Sequence, residues 1–223
     1  MKKEENQRIF GEQYNCDWWL AAENSIPLLQ NLLSIILYSD ATTFDGFGRN
    51  SGHPIFLTLG NLPNWYRNLP EAKVLLGFLP NVQDTGIKIS KEFLKFRKEI
   101  YHKSLKIMLA PLQKKSHSLY FRINGKPVAF SAKTSIIIAD MLEEKDMIAT
   151  YKSSQCKMPC HNCMVLRDNL NNMDLESKNM LPRTPQNMQS VLKNCVSKNF
   201  SVQDIEIRFG TFHKYSLKFF KNH

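Results

Sequence analysis

The sequence predicts a mixed α/β fold, and three patterns carry that expectation. Short apolar runs rich in branched residues are bounded by turn formers, as buried strands are. A long central stretch changes to a helical period. An Asn-Gly pair joins two further strand-like segments. With 223 residues, 43% hydrophobic and 22% charged, the chain can bury a sizeable core and lacks the composition of a disordered protein.

Residues 1–30 read as a helical lead-in whose apolar face is Trp18, Trp19, Leu20 and Ala21. Leu33–Ser39 (LSIILYS) reads as a buried strand, with Asp40 at its C-terminal end. The next residues, ATTFDGFGRNSGHP, carry turn chemistry. Ile55–Leu59 predicts a second strand, closed by Gly60-Asn61-Leu62-Pro63, and Lys73–Leu79 a third strand or a short helix, ended by Pro80. From Ile89 to Leu112 the apolar residues Phe93, Phe96, Ile100, Ile107 and Met108 follow helical spacing. Leu119–Ile123 and Val128–Phe130 flank Asn124-Gly125-Lys126-Pro127, a hairpin signal. Thr134–Ala139 (TSIIIA) is another apolar run, ended by Asp140. After Pro159 strand character fades, and residues 167–190 read as irregular. The expected division is a lead-in (1–30), a core (31–150), a cysteine-rich segment (151–200) and a divergent tail (201–223).

Charge narrows the partners. Thirty Lys and Arg against twenty Asp and Glu give a net +10, which favours polyanions, nucleic acid before an anionic membrane surface. Nine Lys or Arg and two Glu lie between Gly86 and Lys115, so this stretch alone carries +7. Lys91, Lys95, Lys98 and Lys106 on it suit either a solvated helix face or contact with DNA phosphates. The N-terminus has no signal-peptide core, and the longest apolar stretch, Ile26–Tyr38, is too interrupted to span a bilayer. The expectation is an intracellular protein.

Two groups of residues can carry chemistry. Asp40 and Asp140, 100 residues apart, each end an apolar run. Taken singly, such an aspartate is a turn former or a helix N-cap. As a pair on neighbouring elements, the two could hold divalent cations, which prefer oxygen ligands and support phosphodiester cleavage. Asp45 is a rival for the first position. The second group is CKMPCHNC, with Cys156, Cys160, His161 and Cys163. Its spacing suits half of a tetrahedral zinc site, with Cys195 or His213 as a fourth ligand, and equally suits unligated structural cysteines. No phosphate loop, dinucleotide fingerprint, HExxH or GxSxG motif is present, against an NTPase, a dehydrogenase or a serine hydrolase.

Three stretches, in order, resemble the Plavaka-type transposases, fungal relatives of CACTA-like and Kyakuja-Dileera-Zisupton elements. They are LLSIILYSDATTFDGFGRNSGHPIFLTLGNLPNWYRNLPEAKVLLGFLP (32–80), the run ending at Asp140, and CKMPCHNCMV (156–165); the upstream FGEQYNCDWWLAAENSIP is similar as well. The resemblance implies an RNase H-like core with three metal-binding acids, Asp40 as the first and Asp140 as the second. It also implies Mg²⁺ or Mn²⁺ at those acids, Zn²⁺ as an option at a cysteine-bearing insertion, DNA as partner and the nucleus as location, with a homo-oligomer an open option. Asp168, Asp174, Asp204 and Glu206 have no context matching the third acid, and the family's chain runs on beyond the point that matches His223. The expectation is therefore a transposase-derived fragment, its fold incomplete at the C-terminus, weak or inactive in DNA strand cleavage and transfer. The alternative is a non-catalytic nucleic-acid- or protein-binding remnant using the basic helix and the cysteines.

Overall fold

A computed structural model describes residues 11–47, 51–82, 90–114, 119–140, 146–147, 150, 156–160, 162–176, 180–194 and 198–203. Its elements are α1 (Asp17–Glu23), β1 (Asn31–Ser39), β2 (Thr42–Thr43), β3 (Ser51–Leu59), α2 (Asn64–Arg67), β4 (Val74–Leu79), α3 (Lys91–Lys114), β5 (Leu119–Ile123), β6 (Lys126–Ala139) and α4 (Pro185–Lys193). The strands form one mixed sheet, ordered β4-β3-β1-β6-β5, with the short β2 extending along β3 beyond β1. Thus the predicted α/β class holds, and the residues from Lys73 onward resolve into a strand. The runs placed at Val128–Phe130 and Thr134–Ala139 are one continuous strand, because Ser131 and Ser135 are accommodated inside the sheet by hydrogen bonds. Asn124 and Gly125, both at positive φ, make the β5–β6 turn that an Asn-Gly pair favours.

β1 lies at the centre, antiparallel to β3 and parallel to β6. Its burial on both faces explains its near-continuous apolar sequence. One face meets α3: Leu105 and Leu109 pack with Ile35, Leu37, Ile55, Leu79, Ala132 and Ile137 in the main core. Where β3 leaves β1, Asn61 replaces a strand partner, accepting from the Ser34 amide at 2.9 Å and donating to the Leu32 carbonyl at 2.8 Å. Gly60 beside it leaves room for the Gln13 side chain: a Cβ there would stand 1.6 Å from Gln13 Oε1 and 2.5 Å from Ser34 Oγ, so that contact would have to shift. The Ser34 hydroxyl donates to Gln13 Oε1 at 2.7 Å and lies 2.9 Å from the Ser135 hydroxyl, tying lead-in, β1 and β6 together. Among the described residues of the lead-in Ala22 is the buried one, whereas Leu20 and Ala21 are exposed. The apolar face expected there is rotated, because α1 meets the sheet through its smallest side chain.

A second core, Met164, Met188, Val191 and Val202, sits among the residues after 156. The expected irregular segment gains a helix: α4 starts at the N-cap Thr184, whose hydroxyl accepts from the Asn187 amide, with Pro185 in the first turn. Gln203 links this region to the rest, donating to the Thr150 carbonyl and accepting from Lys98 on α3.

His102, buried on α3, has its pKa lowered by loss of hydration, a shift that the nearby Lys98 favours and the Asp146 carbonyl and carboxylate oppose. A histidine held neutral in the fold but free to charge when unfolded contributes stability above its unfolded value, about 6.5, and loses it as pH falls towards the folded value. Thermal melts between pH 7.5 and 5 should therefore show a decline on acidification that His102→Gln reduces. An equal decline in both proteins would show that His102 contributes nothing to it.

Candidate metal centre and nucleic-acid face

The parallel register of β1 and β6 positions the two acids. Tyr38 pairs with Ile138 and Ser39 with Ala139, the last pair, so Asp40 and Asp140 are the residues that leave the sheet side by side. Adjacent strands lie about 4.8 Å apart. Alternation puts Asp40 on the face of Tyr38 and Asp140 on that of Ile138, paired neighbours themselves. Both acids emerge at the C-terminal ends of parallel strands, the usual ligand-binding crevice of open α/β sheets. Asp40 is half-buried and accepts a 3.0 Å hydrogen bond from the Tyr38 hydroxyl, while Asp140 is exposed. Asp45 lies in a bend beyond β2. The pair suits a hard cation that keeps water or phosphate oxygens in the rest of its shell. Among the described residues, no three His, Cys, Asp or Glu side chains are grouped closely enough to hold a metal ion. Asp168 and Asp174 are exposed, and Asp204 and Glu206 lie outside the described residues.

Around the cysteines, a short antiparallel contact pairs Cys163 with Pro182, flanked by Met164 N to Leu181 O at 2.8 Å and Arg183 N to Asn162 O at 2.9 Å. The Arg183 side chain, 7% exposed, is the hub. It donates to the carbonyls of Cys160 at 2.8 Å, Met158 at 2.8 Å and Phe200 at 3.0 Å, tying two other segments to its own. Burial lowers its pKa, opposed by the charges of Cys160, Cys163 and Cys156, which all stand within its field. Burial raises the Cys163 thiol; the Val165 amide opposes this, Cys160 adds to it by hydrogen bond and charge, and Arg183 opposes it. Cys156, Cys160 and Cys163 are thus gathered near one buried cation, while His161, Cys195 and His213 lie outside the described residues. Arg183 was not singled out in the sequence, where only its position after Pro182 and before a capped helix start marks it.

On α3, Lys95 and Lys106 are exposed and stand three turns apart on one helix face, with Lys103 beside them. Lys98 is half-buried and bonded to Gln203, so it faces the protein. Lys91 opens the helix; its side chain lies outside the described residues. No helix among the described residues is long and apolar enough to cross a membrane.

The fold and site define a mixed α/β protein with paired carboxylates at the ends of two central parallel strands. The chain belongs to the Plavaka transposase family, whose model matches residues 1–221. It is therefore transposon-derived, and the family implies interaction with DNA. Comparison with curated proteins finds no match.

Proposed function

We propose that this protein is a DNA-directed remnant of a cut-and-paste transposase that binds Mg²⁺ or Mn²⁺ between Asp40 and Asp140, works in the nucleus and cleaves DNA weakly. The observation that carries the reading is the parallel pairing of β1 with β6, which sets the two acids side by side. The support for an RNase H-like core is the same sheet: β1, β3 and β4 are antiparallel neighbours, and after α3 the β5–β6 hairpin brings β6 back parallel to β1. A divalent ion at such acids supplies activation of the attacking oxygen and stabilisation of the 3′ leaving oxygen. The protein's own part is to hold two carboxylates at fixed spacing and to approach the phosphate backbone through Lys95 and Lys106. Weak cleavage belongs to this reading because no acid after the cysteines stands in a sequence context that matches the family's third acid. Zinc at Cys156, Cys160, Cys163 and His161 belongs to this reading on their spacing. The three described cysteines stand in the field of Arg183 but are not grouped closely enough to hold a metal ion by themselves.

Mn²⁺ titration of the purified chain, followed by electron paramagnetic resonance, tests the metal site. Asp40→Asn and Asp140→Asn should each weaken Mn²⁺ binding by about tenfold or more. Unchanged affinity in both variants would refute the shared site. Robust Mg²⁺-dependent nicking of supercoiled plasmid, abolished by Asp140→Asn, would overturn the claim of weak cleavage.

A further inference from the structure

We propose that Tyr38 is a positioning residue for the metal centre, its phenol orienting the Asp40 carboxylate so that one oxygen is presented to the cation. This inference rests on the Asp40–Asp140 metal reading and adds a residue to it.

Strand geometry makes the contact available. Tyr38 and Asp40 are two residues apart along the end of β1, on one face, so a phenol reaching along the strand meets the carboxylate. The Tyr38 hydroxyl donates to Asp40 Oδ2 at 3.0 Å. A carboxylate turns easily about its last torsion, where the energy wells are broad. A donor on Oδ2 narrows that freedom and leaves Oδ1 as the oxygen turned to a cation. Ligating carboxylates are commonly held in this way by partners outside the metal shell.

The ring lies outside the packed cores. Tyr38 is 41% exposed on a strand whose other central residues are buried, and it belongs to neither hydrophobic core. Its cross-strand neighbours, Phe56 on β3 and Ile138 on β6, flank the ring and restrict where the phenol can swing. Phenylalanine would keep those ring contacts and remove only the donor. The arrangement is asymmetric across the seam: the residue that pairs with Tyr38 on β6 is Ile138, which has no donor to offer Asp140.

The test is a double-mutant cycle on the purified full chain, read by Mn²⁺ titration with electron paramagnetic resonance and by melting temperature without metal. Tyr38→Phe should weaken Mn²⁺ binding by about tenfold while moving the metal-free melting temperature by no more than about 2 °C. In an Asp40→Asn background, Tyr38→Phe should have no further effect, because the phenol acts through that carboxylate. Unchanged Mn²⁺ affinity in Tyr38→Phe, with affinity lost in Asp40→Asn and Asp140→Asn, would overturn this inference and leave the metal centre standing. Fully additive losses from Tyr38→Phe and Asp40→Asn would overturn it too, as would a matching loss of metal-free stability. Unchanged affinity in both aspartate variants would remove the metal centre itself.

Discussion

Replacing Leu109 by alanine is expected to destabilise the protein by about 2–5 kcal/mol, the range for truncating a buried leucine. For a chain of this size that corresponds to a fall of about 5–15 °C in melting temperature. Leu109 is 1% exposed and packs from α3 into the main core, with strand residues Ile35, Leu37, Ile55, Leu79, Ala132 and Ile137 in the same cluster. The loss combines the transfer energy of the missing atoms with the cavity that a strand-backed site cannot close. Ile107, two positions earlier and 75% exposed, is the control. Ile107→Ala should change stability by no more than about 0.5 kcal/mol. Comparable losses from both substitutions would mean that α3 does not cover the sheet with the face described.

Arg183→Met is expected to loosen the cysteine-bearing region while sparing the sheet. Methionine preserves much of the arginine stem but removes every donor. The carbonyls of Met158, Cys160 and Phe200 then lose a partner in a site that is nearly closed to water. At about 1–3 kcal/mol for each buried acceptor left unmet, the local cost is about 3 kcal/mol or more. The region has its own small core, so the opening should be sub-global. Amide hydrogen exchange is the measurement: protection should fall across α4 and the residues around Cys160 and Cys163, and stay unchanged in β1 and β6. Intact protection in α4 would show that Arg183 is not the hub of that region.

Much of the main sheet was legible because its signals are local. β1 announces itself as a near-continuous apolar run ending in a carboxylate, and Asn124-Gly125 marks the β5–β6 turn by the positive φ that both residues adopt. The helix of α3 was legible but its buried face was not: Phe96 and Ile107 of the expected stripe are exposed, and Leu105 and Leu109 fill the core instead. Other features were misread for equally physical reasons. Polar residues such as Ser131 and Ser135 interrupt the apolar pattern of β6 but satisfy their hydroxyls on the Gln30 side chain and the Ile35 carbonyl, so one long strand looked like two runs. The polarity around α4 suggested irregular chain, although the Thr184–Pro185 start was a readable helix signal.

The candidate site divides in the same way. The sequence by itself determined the mixed α/β class, the helix and hairpin, the two acids that end apolar runs, the cysteine cluster and the overall positive charge. Each is a property of neighbours along the chain, where periodicity, turn chemistry and spacing are written. Only the tertiary structure decided that β1 and β6 pair in parallel, which sets Asp40 beside Asp140 across 100 residues of intervening chain. It also turned Lys98 inward to Gln203, made Arg183 the tie between three segments and brought the Tyr38 phenol onto Asp40. Strand partners and register are set by packing between distant segments, and no local pattern specifies which two buried strands will be neighbours.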